Sequence, residues 1–112
     1  MPGRLTRKAP SVATITVSGR LDAVEATPLR AALNEYLTTG TNRIVIDLTD
    51  VHFVDSAGLA ALVIGMKRAR QENGDVRLVS PSHPDAQRVF ELTKFDDVFA
   101  MAADLDSALD GW

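Results

Sequence analysis

The sequence of 112 residues contains no cysteine and only one tryptophan and one tyrosine. Without cysteine the protein forms no disulfide, has no thiolate nucleophile and offers no sulfur ligand to zinc, and this composition favours a cytoplasmic location. The net charge of −3 leaves no broad basic surface for direct nucleic-acid binding. No apolar run approaches the ~20 residues that span a bilayer, so we expect no membrane insertion. The basic residues near the N-terminus precede no apolar segment, which argues against a secretory signal.

The length and the apolar share of 46% predict one domain over residues 1–112, with residues 1–10 as a frayed segment that has room for an edge strand. Strands are predicted at residues 12–18, 43–48, 76–79 and 98–101. Helices are predicted at residues 25–39, 56–72 and 105–112, and another begins near Pro84. Strands that alternate with helices are joined by right-handed crossovers. We therefore expect an α/β fold with a mixed, mostly parallel sheet of four to five strands and helices chiefly on one face.

The chain is organised around residues 43–66. The β-branched run at residues 43–48 is typical of a buried strand, and the Ala- and Leu-rich run at residues 59–66 is typical of a helix. A loop is expected between them. Asp55 and Ser56 end this loop, and both residue types cap helix N-termini with a side-chain oxygen. The pattern places Ser56 at the start of the helix or within one residue of it, with its hydroxyl in solvent.

Ser56 has two interpretations at this position. It is either a helix cap without further function, or a phosphorylation site whose phosphate is tolerated by the positive helix end. Asp55 and Asp22 would oppose the phosphate's charge of about −1.5 to −2, so we expect a local charge switch rather than refolding. The small residues Ala57 and Gly58 are expected to leave the backbone open to a partner.

Two apolar stripes run along the helix that follows Ser56. One has the spacing of an inward face and consists of Leu59, Leu62, Val63 and Met66. The other lies on an adjacent face and consists of Ala57, Ala60, Ala61 and Ile64. The second stripe is either covered by neighbouring helices or is a flat docking surface rimmed by charge. A phosphate at its end would have to be desolvated on docking, which would prevent binding.

Enzymatic motifs are incomplete, so we expect no catalytic residue, no cofactor and no metal site. The segment around Ser56 is similar to a nucleophile elbow, but Val54 stands where that turn needs glycine. The two histidines, His52 and His83, are expected to be loop or cap residues rather than bases or metal ligands. A phospho-receiver domain would need clustered acids after the first strand, whereas Asp22 has no adjacent acid.

Two segments carry a resemblance to a known family. One reads Val54-Asp55-Ser56-Ala57-Gly58-Leu59 and follows the apolar run at residues 45–48. The other reads Val17-Ser18-Gly19-Arg20-Leu21-Asp22. Together they resemble the STAS domain family, and within it the stand-alone bacterial anti-sigma factor antagonists. The resemblance covers residues 12–109 and implies a STAS-like fold.

The resemblance also implies a regulatory mechanism. The unphosphorylated antagonist binds an anti-sigma factor that is also a serine kinase of the histidine-kinase-like ATPase type, which frees the sigma factor for RNA polymerase. The kinase phosphorylates the serine that follows the motif aspartate, here Ser56, and the phosphoprotein dissociates. A metal-dependent serine phosphatase reverses the modification. Asp22 matches the family's Gly-x-Leu-Asp turn and is expected to be the second acid that contacts the partner.

The identity of residue 57 leaves further interpretations open. Many antagonists carry a second serine or threonine where this sequence has Ala57, so Ser56 is the one hydroxyl at the turn. The same Asp-Ser-Ala-Gly form resembles STAS subunits of lipid-transport complexes, which would dock on a transporter ATPase without being phosphorylated. A STAS module that senses a nucleotide or another small ligand is a third interpretation.

Overall fold

The computed structural model describes residues 11–112, and the predicted frayed segment at residues 1–10 lies outside this range. The strands described are β1 (Val12–Leu21), β2 (Arg43–Val54), β3 (Asp75–Val79) and β4 (Ala100–Ala102). The helices are α1 (Ala23–Thr38), α2 (Ser56–Gln71), α3 (Pro84–Leu92) and α4 (Leu105–Leu109), and a one-turn 3-10 helix spans Phe95–Asp97. The sheet order is β1-β2-β3-β4, and each neighbouring pair is parallel. The predicted α/β alternation and the mostly parallel sheet are confirmed.

The sheet is buried on both faces, which explains the near-continuous apolar sequence of the first part of β2, at residues 44–48. On one face, Ile44 and Ile46 of β2 contact the main core, to which α1, α2 and α3 also contribute buried residues. On the other face, Val45 belongs to a second cluster with Val79 of β3 and Ala108 of α4. Three helices therefore cover one face and the short α4 covers the other, as the prediction of helices chiefly on one face requires.

One arginine attaches α4 to the sheet. Arg77 of β3 donates hydrogen bonds from its guanidinium group to the carbonyl oxygens of Ala108 (2.9 Å) and Asp110 (2.6 Å). The same guanidinium lies 3.8 Å from the centre of the Trp112 ring, which is a cation–π distance. These contacts hold the end of the chain against the face of the sheet opposite α1, α2 and α3.

β2 continues through residues 49–54, where the sequence predicts a loop. β1 likewise extends past Gly19 to Leu21, and the two extensions pair with each other up to the contact of Leu21 with Val54. The register shifts between Gly19 and Arg20, and Gly19 has a φ of 77°, a conformation that glycine adopts without a steric penalty. The loop prediction is wrong because residues 49–54 pair with the end of β1, and Val51, Phe53 and Val54 have the strand propensity to continue β2 there.

Three element ends also differ from the predictions. α1 begins at Ala23, because the Asp22 side chain caps it there, so Pro28 lies in the second turn of the helix on an exposed side rather than in the first. β4 begins at Ala100 instead of residue 98, because the 3-10 helix occupies the chain before it. α4 ends at Leu109. Over residues 11–112, no helix has the length and apolar character needed to cross a membrane.

Candidate functional site

Two helix starts lie side by side at one end of the sheet. Leu21 and Val54, the last residues of β1 and β2, are paired, and each is followed at once by an aspartate that caps a helix. The backbone N–H of Asp55 donates a hydrogen bond to the carbonyl oxygen of Leu21 at 3.2 Å, which joins the two helix starts. This topology brings Asp22, Asp55 and Ser56 to one corner of the molecule.

Both aspartates bind the helix ends that follow them. The Asp22 carboxylate accepts hydrogen bonds from the backbone N–H groups of Val24 (3.1 Å) and Glu25 (3.2 Å). The Asp55 carboxylate accepts one from the N–H of Gly58 at 3.0 Å. These N–H groups have no partner within the first turn of their helix, so the caps satisfy them and place negative charge at the positive end of each helix.

Asp22 is also paired with an arginine from β1. The pKa of Asp22 is lowered below its usual value, chiefly by the hydrogen bond from the backbone N–H of Glu25. Loss of hydration raises this pKa in part, and the hydrogen bond and charge of Arg20 lower it further. The Nε of Arg20 lies 3.2 Å from the carboxylate, and its guanidinium carbon lies 3.9 Å from the centre of the Phe53 ring. No local pattern marks Arg20 and Phe53 in the sequence, because they become neighbours only through the pairing of β1 with the part of β2 beyond residue 48.

Ser56 is the first residue of α2 and is exposed. The prediction that it lies within one residue of the helix start is confirmed, and the cap itself is Asp55. Because Asp55 provides the capping oxygen, the Ser56 hydroxyl is not required to hold the helix. The side chain can therefore be modified without removing the bond that starts α2.

Gly58 is buried, contrary to the open backbone expected there, and Ala61 is buried as well, so this part of the second stripe follows the covered alternative. A Cβ atom at Gly58 would lie 2.3 Å from the carbonyl oxygen of Leu21, so glycine is needed for the close approach of α2 to the end of β1. Ala61 has no accessible surface and belongs to the main core. Both residues therefore support the surface from beneath, and the expected open backbone at Gly58 is corrected to a packing contact. Ala57 is half-buried.

The exposed part of the predicted second stripe forms a ridge. Ser56, Ala60 and Ile64 are four residues apart, which places them on one face of α2, and all three are exposed. Ile64 leaves 50% of its surface accessible, which is unusual for a large aliphatic residue in the middle of a helix. We call these three residues the α2 ridge.

A shallow apolar groove of about 330 Å³ runs beside the α2 ridge. Its lining combines the ridge with side chains of the inward stripe and one aromatic ring: Ser56, Leu59, Ala60, Val63, Ile64 and Phe95. Phe95 comes from the 3-10 helix after α3 and packs against the main core. No periodic pattern in the sequence marks Phe95, because it lies in a short irregular segment. Ser56 thus borders an apolar groove built from two separate parts of the chain.

A sequence profile of the STAS domain matches residues 4–108. The chain belongs to the STAS domain family. This STAS domain is 34% identical over 84 residues to the anti-sigma-B factor antagonist of Listeria monocytogenes, and the alignment covers 75% of this chain and 73% of that protein. The resemblance stated from the two sequence segments is therefore confirmed.

Solved structures of related proteins share the fold of this STAS domain. An anti-sigma factor antagonist from Mycobacterium paratuberculosis matches with a TM-score of 0.77 and 31% identity, over 94% of this chain and 88% of that one. The antagonist SpoIIAA in its unphosphorylated form matches with a TM-score of 0.76 and 22% identity, over 96% of this chain and 92% of that one. The expected STAS-like fold is confirmed by both matches.

Proposed function

We propose that this STAS domain is an anti-sigma factor antagonist that acts in the cytoplasm by binding rather than catalysis, and that phosphorylation of Ser56 switches it off. The observation that carries the proposal is the position of the Ser56 side chain, which is exposed at the first residue of α2 and borders an apolar groove. The names of the Listeria and Mycobacterium relatives support the antagonist class.

The proposed docking surface for the anti-sigma factor is the α2 ridge with the groove beside it. Ala60 and Ile64 offer exposed apolar area on α2, and Phe95 extends this area onto a second element. Burial of apolar area contributes about 25 cal/mol per Å² before the losses of association are subtracted. An apolar centre of this kind, rimmed by charged side chains, suits a complex that must form and dissociate.

The polar end of this surface is proposed to orient the partner. Asp22 and Asp55 lie at the N-terminal end of the α2 ridge with Ala57 beside them, and we assign all three to the contact region. Gly58 contributes indirectly, because it allows α2 to approach the end of β1 closely enough to present the ridge, and Ala61 packs in the main core beneath it.

Phosphorylation of Ser56 is proposed to act through charge alone. The phosphate adds about −1.5 to −2 charge next to the carboxylates of Asp55 and Asp22. The positive end of α2 tolerates this charge, so the helix stays folded. A partner that covers the groove would have to strip water from the phosphate, and the cost of desolvating such a charge exceeds what a small apolar contact provides.

The proposed kinase is the anti-sigma factor itself, an ATPase of the histidine-kinase-like type. In the reaction the oxygen of Ser56 attacks the γ-phosphorus of ATP, the bond to ADP breaks, and a base of the kinase takes the hydroxyl proton. A serine phosphatase is proposed to hydrolyse the phosphoserine with water, which restores the hydroxyl and releases inorganic phosphate.

The test is incubation of the protein with its kinase-type anti-sigma factor and ATP. We expect the intact mass to rise by one phosphate, located at Ser56 by peptide sequencing, and we expect the complex to dissociate as the phosphate is added. Ser56→Ala is the matched control, because it keeps the helix start and removes the acceptor oxygen. If an active kinase adds no phosphate, or if the protein instead captures a transporter ATPase equally well with either residue, the antagonist proposal is wrong.

A further inference from the structure

The two histidines of the chain lie next to each other, and neither lines the groove beside the α2 ridge. His52 is exposed on the part of β2 that the sequence predicts to be a loop, and His83 is exposed at the N-cap of α3. The centres of the two imidazole rings are 5.8 Å apart, and the ring planes are tilted by 57°. The pair is formed by residues 31 positions apart in the sequence, so the fold, and not the local pattern, brings them together.

Hydrogen bonds hold the backbone of this pair in place. The N–H and the hydroxyl of Ser82 both donate to the carbonyl oxygen of Thr49, at 3.1 and 2.9 Å. The side-chain amide of Gln87 donates to the carbonyl oxygen of Pro81 at 2.8 Å. The segment that carries His83 is therefore fixed against the strand that carries His52. His83 is one residue from Ser82, and His52 is three residues from Thr49.

The imidazole nitrogens of His83 are not used by its own helix. His83 occupies the N-cap of α3, but its side chain makes no capping hydrogen bond. His52 and His83 are both exposed, so each ring can turn about its Cβ–Cγ bond and bring a nitrogen towards the other ring. In its neutral form each ring has one nitrogen with a free lone pair.

The separation of the rings fits two ligands of one metal ion. Zinc binds histidine nitrogens at about 2.0–2.1 Å in tetrahedral geometry, and this geometry places the centres of two such rings roughly 5–6 Å apart. The measured 5.8 Å between the rings lies within this span. Over residues 11–112 no group of three or more His, Asp or Glu side chains is arranged to hold a metal, so water would complete the coordination.

We infer that His52 and His83 form a surface site for one divalent ion of the zinc, nickel or copper class. Imidazole suits these ions, whereas magnesium and calcium prefer oxygen ligands. Such an ion would connect the extension of β2 to the loop before α3. Its ligand on β2, His52, lies four residues before Ser56 in the sequence. The inference is independent of the antagonist function and departs from the expectation that the two histidines bind no metal.

The test is calorimetric titration of the whole protein with zinc chloride or nickel chloride. We expect one ion per chain, with dissociation constants that rise by roughly tenfold or more in His52→Ala and in His83→Ala, since loss of a ligand costs at least as much as loss of an outer-shell partner. Glu35→Gln on α1 is the control, because it removes an exposed potential ligand elsewhere, and its titration should match that of the unaltered protein. Both histidines are exposed, so circular dichroism of the variants should be unchanged.

Two further measurements decide between a shared site and other sources of binding. Nuclear magnetic resonance should show both imidazole Cε1–H signals moving with the same zinc dependence. Sedimentation should give the same mass with and without zinc. Binding of undiminished affinity in either alanine variant, a shift of one imidazole only, or dimerisation driven by zinc would overturn the inference of a site within one chain.

Discussion

The carbonyl oxygen of Leu21 accepts a hydrogen bond from the backbone N–H of Asp55 at 3.2 Å. The same carbonyl oxygen is the atom that a Cβ at Gly58 would meet first, so the missing side chain of Gly58 lets α2 approach the end of β1. Two contacts to one residue therefore fix the position of Ser56 relative to the sheet. A charge placed on Ser56 is added to a rigid support, which is what a switch by electrostatics requires.

Gly58→Ala should destabilise the protein by about 1–3 kcal/mol, the usual range for overpacking. The new Cβ atom would lie 2.3 Å from the Leu21 carbonyl oxygen, and a backbone atom cannot move aside as a flexible side chain can. Urea unfolding measures the change. Ser56→Ala, two residues earlier and exposed, should change stability by no more than about 0.5 kcal/mol. Equal stabilities of the two variants would contradict the close approach.

Asp55→Ala should lower the free energy of unfolding by about 1 kcal/mol, because the N–H of Gly58 loses its 3.0 Å acceptor. Asp55→Asn should retain most of the stability, since asparagine caps helices as well as aspartate does. Thermal and urea unfolding of both variants give the comparison. A loss of the same size in the two variants would mean that charge, and not capping, is the main contribution.

The lowered pKa of Asp22 predicts a stability that depends on pH. The folded state holds the ionised form of Asp22 more strongly than the unfolded state does. The contribution of Asp22 to the free energy of unfolding is therefore fully present above the unfolded pKa of about 3.9. It is lost as the pH falls through the lower pKa of the folded state. Asp22→Asn keeps a capping oxygen and removes the charge. We expect it to be less stable than the unaltered protein at neutral pH, with the difference shrinking under acid conditions. Urea unfolding midpoints of the two proteins are measured from neutral to acid pH. If they stay equally far apart, the ionised Asp22 is not the source of the difference.

Ala60→Asp should weaken binding to the anti-sigma factor by about 1–2 kcal/mol or more, because it places a carboxylate in the middle of the α2 ridge. The matched control is Ala31→Asp, the same change at an exposed position of α1 outside the groove. Both variants should unfold at similar urea concentrations. Calorimetry with the partner in the presence of ADP measures the affinities, and equal weakening by the two changes would place the interface elsewhere.

Ser56→Asp should imitate the phosphorylated state in part. We expect it to bind the partner more weakly by a few kcal/mol, since an interface that buries an unpaired charge is strongly penalised. The circular dichroism spectrum should be unchanged, because aspartate at the first position of a helix is favourable. Ser56→Ala should bind normally and resist switching. If Ser56→Asp loses its helical signal, the effect is refolding and the local charge switch is wrong.

The sequence was sufficient to locate Ser56, because Asp55 and the run that follows it are a local signal for a helix start. Which residues of the second stripe are buried and which are exposed was not predictable in the same way. Helical periodicity places Ala60 and Ala61 close together, but whether a neighbouring helix covers either of them depends on how α1 packs, and the structure buries Ala61 and exposes Ala60.

The parts of the site that sequence reasoning missed all depend on contacts between distant segments. Arg20 and Phe53 meet because β1 and β2 stay paired beyond their apolar sections. Phe95 reaches the groove from a 3-10 helix with no periodic pattern. Outside this site, His52 and His83 likewise become neighbours only when the loop before α3 binds the extended β2. Propensity and spacing describe one segment at a time, so they contain no information on such pairs.

The bonds from Arg77 to the end of the chain have a practical consequence. They attach α4 to the face of the sheet opposite α2. A linker joined after Trp112 would therefore extend from the α4 side of the molecule. Protein immobilised through that linker should therefore present Ser56 and its groove outward, to any kinase or binding partner that flows past the support.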